Sequence, residues 1–569
     1  MSTSAPTRQH PNTQRNDAGE PPSGPGPLGR LGRLTYRRRG RTVLAWLAVL
    51  GLAALLTSAF GGDFKADYSA PGSDSRAAQV LLEERFPAQS GDTVDVVVRA
   101  ESGVTTPAVR GDVQDLLGDL ATVPHVASVE DPYRAPGGVS PDGRTLVAQV
   151  RLDVTNPADM PVADSERMLA IADGAGRPGL DVALGGRAIQ LAEQGEIGSE
   201  AIGLLAAAVI LLLTFGTVVA AGLPILVAVS GLAVSGMLTG LVIAFVDTPD
   251  WSTSLATMMG IGIGIDYVLL MVTRFRAWRA AGLDPEAATA ATLDTAGRAV
   301  LVAGGTVVVS MLGLFATGLS FMRGAALVTI LAVLVVMAAS LTLFPALLGY
   351  LGRHIDQLRL PLRQRVQTPV AAGGHVEPSR AWLWWSRLVE RNRMLAVLAG
   401  VAVLLILAAP FLSVRYGSPD AGNNREDTST RQAYDMLADG FGVGTNGPLL
   451  LAAELPSPGD TAAIDTLSAA LKQTPGIQAV TPPQLNAAED TALLTVIPTT
   501  GPQDANTEDL VSRLRDNTIP AAIAGTGATV HVGGVTATSI DSMANIAQRI
   551  PLLIGGVVAV SMLLLLVAF

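Results

Sequence analysis

One carboxylate in this sequence sits where carboxylates are costly. Asp266 lies in Met258-Met259-Gly260-Ile261-Gly262-Ile263-Gly264-Ile265-Asp266-Tyr267, about two thirds along a run from 252 to 273 that has no other charge. Apolar runs of about 20 residues cross a ~30 Å hydrocarbon core, and an unpaired carboxylate there costs at least ~2.5 to 3.5 kcal/mol. The protonated and ionised forms of such a group favour different surroundings, so a proton arriving at Asp266 can change how helices pack around it. That is chemistry by which a proton gradient drives a conformational cycle. The plainer reading is a hydrogen bond between helices that serves packing alone. The glycines at Gly260, Gly262 and Gly264 support close packing in both cases, with Gly260 and Gly264 forming a small-xxx-small pair. They are not a dinucleotide loop, because no strand precedes them and the last glycine of that fingerprint is missing.

Other chemistry is scarce. Lysine occurs only at Lys65 and Lys472, and with no Gly-Lys pair there is no phosphate-binding loop of the Walker type. Uphill movement would draw on an ion gradient or on a partner ATPase. The absence of cysteine excludes disulfides, thiolate metal sites and a cysteine nucleophile. The histidines, among them His354 and His375 in one polar segment, show no HxxxH or HExxH spacing, and there is no Gly-x-Ser-x-Gly elbow. The expectation is therefore no enzyme, no metal, no cofactor, and no nucleotide or nucleic-acid partner.

The elements that must hold Asp266 follow from composition. Of 569 residues, 49% are apolar and 15% charged, and the mean hydropathy is +0.40. These values exclude a soluble enzyme and indicate a polytopic α-helical membrane protein. Residues 1 to 29, rich in Pro, Gly and Ser, read as a disordered cytoplasmic tail, and the basic region to residue 41 reads as its continuation. Arg37, Arg38, Arg39 and Arg41 then precede a first span over 42 to 60, too long for a signal-peptide core and without a clean cleavage site. Further spans fall at about 200 to 220, 222 to 246, 252 to 273, 299 to 317, 324 to 351, 394 to 413 and 550 to 569, which makes eight. With the amino terminus inside, segments 1 to 41, 274 to 298 and 352 to 393 are cytoplasmic and carry 20 of the 39 basic residues but 8 of the 49 acids, the positive-inside bias. Arg353, Arg359, Arg363 and Arg365 could touch anionic lipid heads, although topology anchoring explains them as well. Trp382, Trp384 and Trp385 beside Arg387 read as an interfacial anchor for the seventh span.

Two long polar segments, 61 to 199 and 414 to 549, then face outward. In the first, strand-like Thr93 to Glu101, helix-like Thr106 to Thr122, strand-like Val126 to Glu130 and Arg144 to Val154, helix-like Ala163 to Gly174 and strand-like Leu180 to Gly185 read β-α-β-β-α-β. The second repeats the order over Pro448 to Glu454, Thr461 to Gln473, Ile477 to Thr481, Ala492 to Pro498, Thr507 to Ile523 and Ala528 to Val532. Both are expected to be α+β ferredoxin-like modules. Each follows a span, opens on an acidic stretch with a tyrosine (Tyr68, Tyr416) and ends in a glycine pair (Gly185 and Gly186, Gly533 and Gly534). The period is roughly 350 residues, a parallel duplication of the whole unit. The acids Asp63, Asp67 and Asp74 that open the first module read as a solvated linker face.

Gly262-Ile263-Gly264-Ile265-Asp266-Tyr267 followed by Arg274-Phe275-Arg276 resembles the fourth-span signature of the mycobacterial membrane protein large (MMPL) transporters, within the resistance-nodulation-division (RND) superfamily. Leu212-Leu213-Thr214-Phe215-Gly216 with Gly222-Leu223-Pro224, and Phe344-Pro345-Ala346-Leu347-Leu348, are similar to that family's second and third spans and to the end of its sixth. The resemblance covers the chain from Arg37 onward. It implies an RND-like fold with two extracytoplasmic porter modules, and export of lipids or other hydrophobic molecules across a bacterial cytoplasmic membrane, driven by the proton-motive force with no cofactor. Asp266 and Tyr267 would form one half of a proton relay whose other half is an Asp-Tyr pair in the tenth span. The sequence stops at Phe569, within the eighth span, and the expectation is a fragment of a twelve-span protein. Membrane lipids and a hydrophobic substrate are the expected partners, and a homo-oligomer is compatible. The rival readings are a non-transporting sensor or scaffold for envelope-lipid assembly, and a protein-export auxiliary of the same superfamily.

Overall fold

The computed structural model describes residues 26–86, 92–135, 137–154, 157–193, 199–352, 354–355, 380–414, 417 and 419–568. Tyr416, most of the 352–379 segment and the Trp382 side chain lie outside them. The chain opens with α1 (Pro27–Arg37) and α2 (Arg39–Phe60), and α3 (Asp74–Arg85) follows. The first α+β module is β1 (Thr93–Ala100), α4 (Pro107–Leu120), β2 (Val126–Val129), β3 (Thr145–Leu152), α5 (Val162–Ala175), β4 (Leu180–Gly185) and α6 (Arg187–Glu193). The membrane helices are α7 (Ser199–Phe215), α8 (Val218–Ile243), α9 (Ser252–Ala280), α10 (Pro285–Thr292) running through a π turn at Leu293–Gly297 into α11 (Arg298–Leu312), and α12 (Ser320–Leu351). Then come α13 (Arg380–Arg391), α14 (Arg393–Ala408) and α15 (Ser429–Phe441). The second module is β5 (Leu449–Glu454), α16 (Ala462–Lys472), β6 (Ile477–Val480), β7 (Gln484–Leu485), β8 (Thr491–Pro498), α17 (Ala505–Arg513), a π turn, α18 (Ile519–Ala522) and β9 (Thr529–Gly533), which runs into α19 (Val535–Ala568).

Among the described residues, 7 helices are long and apolar enough to cross a membrane, and α7 is a shorter apolar helix at the second expected span. The packed centre is α12 against α8 and α9. Small residues let these backbones approach, as small-xxx-small packing requires. A Cβ at Gly264 would lie 2.8 Å from Val336 Cγ1 and 2.9 Å from Ala228 Cβ, and one at Gly260 would lie 2.5 Å from Leu232 Cδ2. Gly262 departs from expectation: nothing lies within 4 Å of its Cβ position, because it faces away from α8 and α12.

The expected disordered tail is corrected at its inner end, where α1 is a helix with a docking face. Gly29 and Gly32 are buried on it, against Asp294 and Leu293. Asp294, buried in the π turn, accepts hydrogen bonds from the backbone N–H groups of Gly26 and Gly29, both at 2.8 Å. Free N–H groups and the positive end of a helix are a natural partner for a buried carboxylate. At its other end α1 hands over to Arg39, whose guanidinium bonds Gly349 O on α12. A Cβ at Gly29 would overlap the Asp294 carboxylate. Gly29→Ala is therefore expected to undock α1, measured as faster protease cleavage near residue 30 in detergent-solubilised protein, with the membrane bundle intact.

The first module's sheet has order β2-β3-β1-β4, with every neighbouring pair antiparallel. The second has the matching order β6-β8-β5-β9, with the short β7 added beside β8. The strands match the alternating runs because one face of each sheet packs on its two helices: Val94, Val96, Val98, Leu146 and Val150 in the first, Leu449, Leu451, Leu494 and Val496 in the second.

One edge of each sheet is covered by a helix from the other half of the chain. Helix α15 packs on β4, and α3 packs on β9. The Leu184 N–H donates to Ser429 Oγ at 2.7 Å, and the Val532 N–H donates to Asp74 Oδ2, also at 2.7 Å. Asp74 and Ser429 each begin a helix capped by the preceding hydroxyl residue, Ser73 or Thr428. Covering an edge strand satisfies its open hydrogen bonds, and here it also interlocks the two repeats. Asp74 is thus no solvated linker residue. Neither is Asp67, which pairs with Arg76 at 2.9 Å and accepts from the Ser69 N–H.

Candidate functional site

Asp266 and Tyr267, adjacent on α9, point about 100° apart around the helix. Tyr267 is buried against Val300 and Leu341, and a Cβ at Gly304 of α11 would come within 3.3 Å of its hydroxyl. Asp266 faces the other way. It shares an exposed stripe with Met258, Gly262 and Leu270, spaced four apart. The structure therefore brings Gly260, Gly264 and Tyr267 into helix contacts and leaves Asp266 and Gly262 on an open face of α9.

The amino-terminal end of α9 belongs to a second feature that the sequence reading missed. A cavity of about 840 Å³ lies where the two modules meet the membrane helices. Its floor holds Tyr68, Trp251 and Phe321, with ring centroids 4.9 Å apart for Tyr68 and Phe321 and 6.4 Å for Trp251 and Phe321. One wall is α3, through Ala78, Gln79 and Leu82, and the opposite walls are β5 and the start of α19. Arg187 from α6 reaches Asp250, the residue before Trp251, at 2.9 Å, so an ion pair joins the first module to the start of α9. An antiparallel bridge between Lys65 and Thr248 ties the same loop to the segment after α2. Burial and the Asp250 carboxylate push the Tyr68 hydroxyl's pKa up, which keeps it a neutral hydrogen-bonding group. The cavity joins this aromatic floor to polar groups, among them Gln79, Arg187, Gln190 and Asp250, and has the volume of a small-molecule pocket.

One carboxylate near Arg187 is poorly housed. Asp92 Oδ2 is buried without a hydrogen-bond partner among the described residues. Burial, with Asp95 adding to it, pushes the Asp92 carboxyl up to about 6. A carboxyl raised in the folded state favours folding at low pH and disfavours it as pH rises through that value. Asp92→Asn is expected to stabilise the first module by about 2 kcal/mol at pH 7.5 and to change little at pH 3, below the ordinary carboxylate pKa. Thermal melts of the two proteins at both pH values check this.

The MMPL family model matches residues 67–396. The chain is similar to membrane protein YdfJ of Bacillus subtilis, 31% identical over 95% of this chain and 72% of that one. It is also similar to the mycolic acid-containing lipids exporter MmpL11 of Mycolicibacterium smegmatis, 28% identical over 95% of this chain and 57% of that protein. A third relative is the trehalose monomycolate exporter MmpL3 of Mycobacterium tuberculosis, 28% identical over 65% of this chain and 42% of that protein. The chain belongs to the MMPL family of the RND superfamily and is a multi-pass membrane protein. It spans little more than half the length of the MmpL11 relative.

Proposed function

We propose that this chain works in proton-driven export of a lipidic or other hydrophobic molecule across the cytoplasmic membrane, with its amino terminus inside. The two outer modules act as ferredoxin-like porter modules, and the cavity between them is the substrate chamber. The observation that carries this reading is the shared helix: α9 holds Asp266 in the membrane, and the Asp250-Trp251 turn at its start forms part of the chamber. Movement of α9 when Asp266 gains or loses a proton shifts Trp251 and the Asp250–Arg187 pair, and so reshapes the chamber. The open face around Asp266 receives a helix of the second repeat that completes the relay. Two of the relatives, the mycolic acid-containing lipids exporter and the trehalose monomycolate exporter, support a lipidic substrate.

The test uses the protein purified from its own membranes, reconstituted in vesicles with NBD-labelled phosphatidylethanolamine as probe. Extraction of the probe to an external acceptor is expected to speed up when a proton gradient is imposed and to return to baseline when an ionophore collapses it. Extraction indifferent to the gradient would overturn the reading.

A further inference from the structure

The two crossings that interlock the repeats are alike in backbone and different in charge. Where α15 covers β4, its first turn meets Glu193, which accepts from the Ser429 and Thr430 N–H groups and from Thr430 Oγ1. Further along, Arg99 pairs with Asp181 of β4 and Asp439 of α15, with no group among the described residues that titrates near neutrality. Where α3 covers β9, four ionisable groups from four segments meet. Asp74 of α3 bonds His531 Nδ1 of β9 at 2.7 Å and Arg515 Nε of the π turn at 3.0 Å. Arg515 also grips Asp541 of α19 at 2.6 Å, and the Ser75 N–H donates to that same carboxylate at 3.2 Å. The charges acting on His531 are Asp74 from α3, Glu454 from β5 and Arg515, with Asp541 behind Arg515. With His531 protonated, two cations face Asp74 and Asp541. With it neutral, one guanidinium faces both carboxylates, and Glu454 adds to the excess of negative charge.

We propose that His531 is a positioning residue that works as a proton-operated latch on α3, and so on one wall of the cavity. The mechanical link is short. Asp74, Ala78 and Leu82 lie along one face of α3, at spacings of four. Ala78 sits so close to β9 that a Cβ at Gly533 would come within 2.6 Å of its own, and Ala78 and Leu82 line the cavity. A charged hydrogen bond is roughly twice as strong as its neutral counterpart, so loss of the His531 proton loosens the start of α3 while Arg515 keeps it tethered. The Asp74 hydrogen bond and charge raise the His531 pKa above its ordinary value, against the effect of burial. The latch is therefore closed below that raised value and loosens as pH rises through it. Its consequence for transport rests on the cavity reading above.

The equivalent crossing, which has no histidine, is a built-in control. Hydrogen–deuterium exchange is followed on the full chain in nanodiscs at pH 5.5 and 8.5, with times scaled for intrinsic exchange. Residues 74–85 and 529–533 are expected to lose protection roughly three- to tenfold at the higher pH, while 180–185 and 429–441 do not. In His531→Gln both pH values give the loosened pattern, and in His531→Arg both give the closed one. Unchanged protection of 74–85 between the two pH values, or an equal loss in His531→Gln, overturns the latch. Exchange needs neither substrate nor gradient, so the transport reading can fail while this one stands.

Discussion

Asp266→Asn is expected to reduce gradient-driven extraction of the lipid probe to the rate seen without a gradient. Asparagine keeps the shape and most of the polarity of the side chain but cannot take up or release a proton, so α9 loses its two states. Folding should survive, because Asp266 lies on the open face of α9 and not among the Gly260 and Gly264 contacts that pack it against α8 and α12. Removing a charge from a membrane helix also lowers the cost of placing it there. Probe binding in the cavity should be unchanged, since its walls contain no part of residues 258–270. A sensor or scaffold built on the same fold makes the opposite forecast: Asp266→Asn would be silent, as would collapse of the gradient. Tyr267→Phe separates the groups further. Its hydroxyl faces α11 and not the open stripe, so a smaller effect is expected than for Asp266→Asn.

The place of Asp266 within a long apolar helix was legible in the sequence, because the length of the uncharged run around it is enough to fix it. Its direction was not, because consecutive helical residues diverge by about 100° and only the neighbouring helices decide which way is inward. Gly262 failed for the same reason: it belongs to the glycine run but shares its face with Asp266. The module strands were legible because alternation has a period of two and one face is buried. The edge-covering helices were not. Helix α3 reads locally as charged linker, and Asp74 gains its meaning only from β9, more than 450 positions away. At α1 the glycines that suggested disorder are the docking face itself. The cavity has no local signature at all, being closed by segments from Phe64 to Met543 that the duplication brings together.

These misses share a cause. The repeat was visible as a period along the chain, but its structural consequence is an exchange: each half gives its leading helix to the sheet of the other. A cavity between such modules has walls tied to both, so a local change at one crossing reaches the chamber. The ion pair from Arg187 to Asp250 ties the same chamber to α9. The α3 crossing and the start of α9, the helix that carries Asp266, therefore both border one cavity.

Arg515→Ala is the substitution expected to damage that arrangement most. Its guanidinium spans Asp74 and Asp541 and also bonds Val532 O at 2.9 Å, joining α3, β9 and the start of α19. Removing it leaves two partly buried carboxylates close together with only His531 to offset them, and such losses cost about 2 to 4 kcal/mol. Burial already opposes ionisation of Asp74, and what holds its pKa below the ordinary value is the sum of the His531 and Val532 hydrogen bonds and the charges of Arg515 and His531. A carboxyl lowered in the folded state contributes stability above its unfolded pKa and loses it as pH falls through the folded one. Without Arg515 that contribution shrinks, so the variant's deficit relative to the parent should be largest above the ordinary carboxylate range, where Asp74 is ionised, and smaller below it, where Asp74 is protonated. Thermal melts at pH 7 and at pH 3 measure the difference, and a deficit that is equal at both values would mean that Arg515 acts by packing and not by charge. The first module's own core, built from β1, β3, α4 and α5, should melt as before, because none of its contacts passes through Arg515.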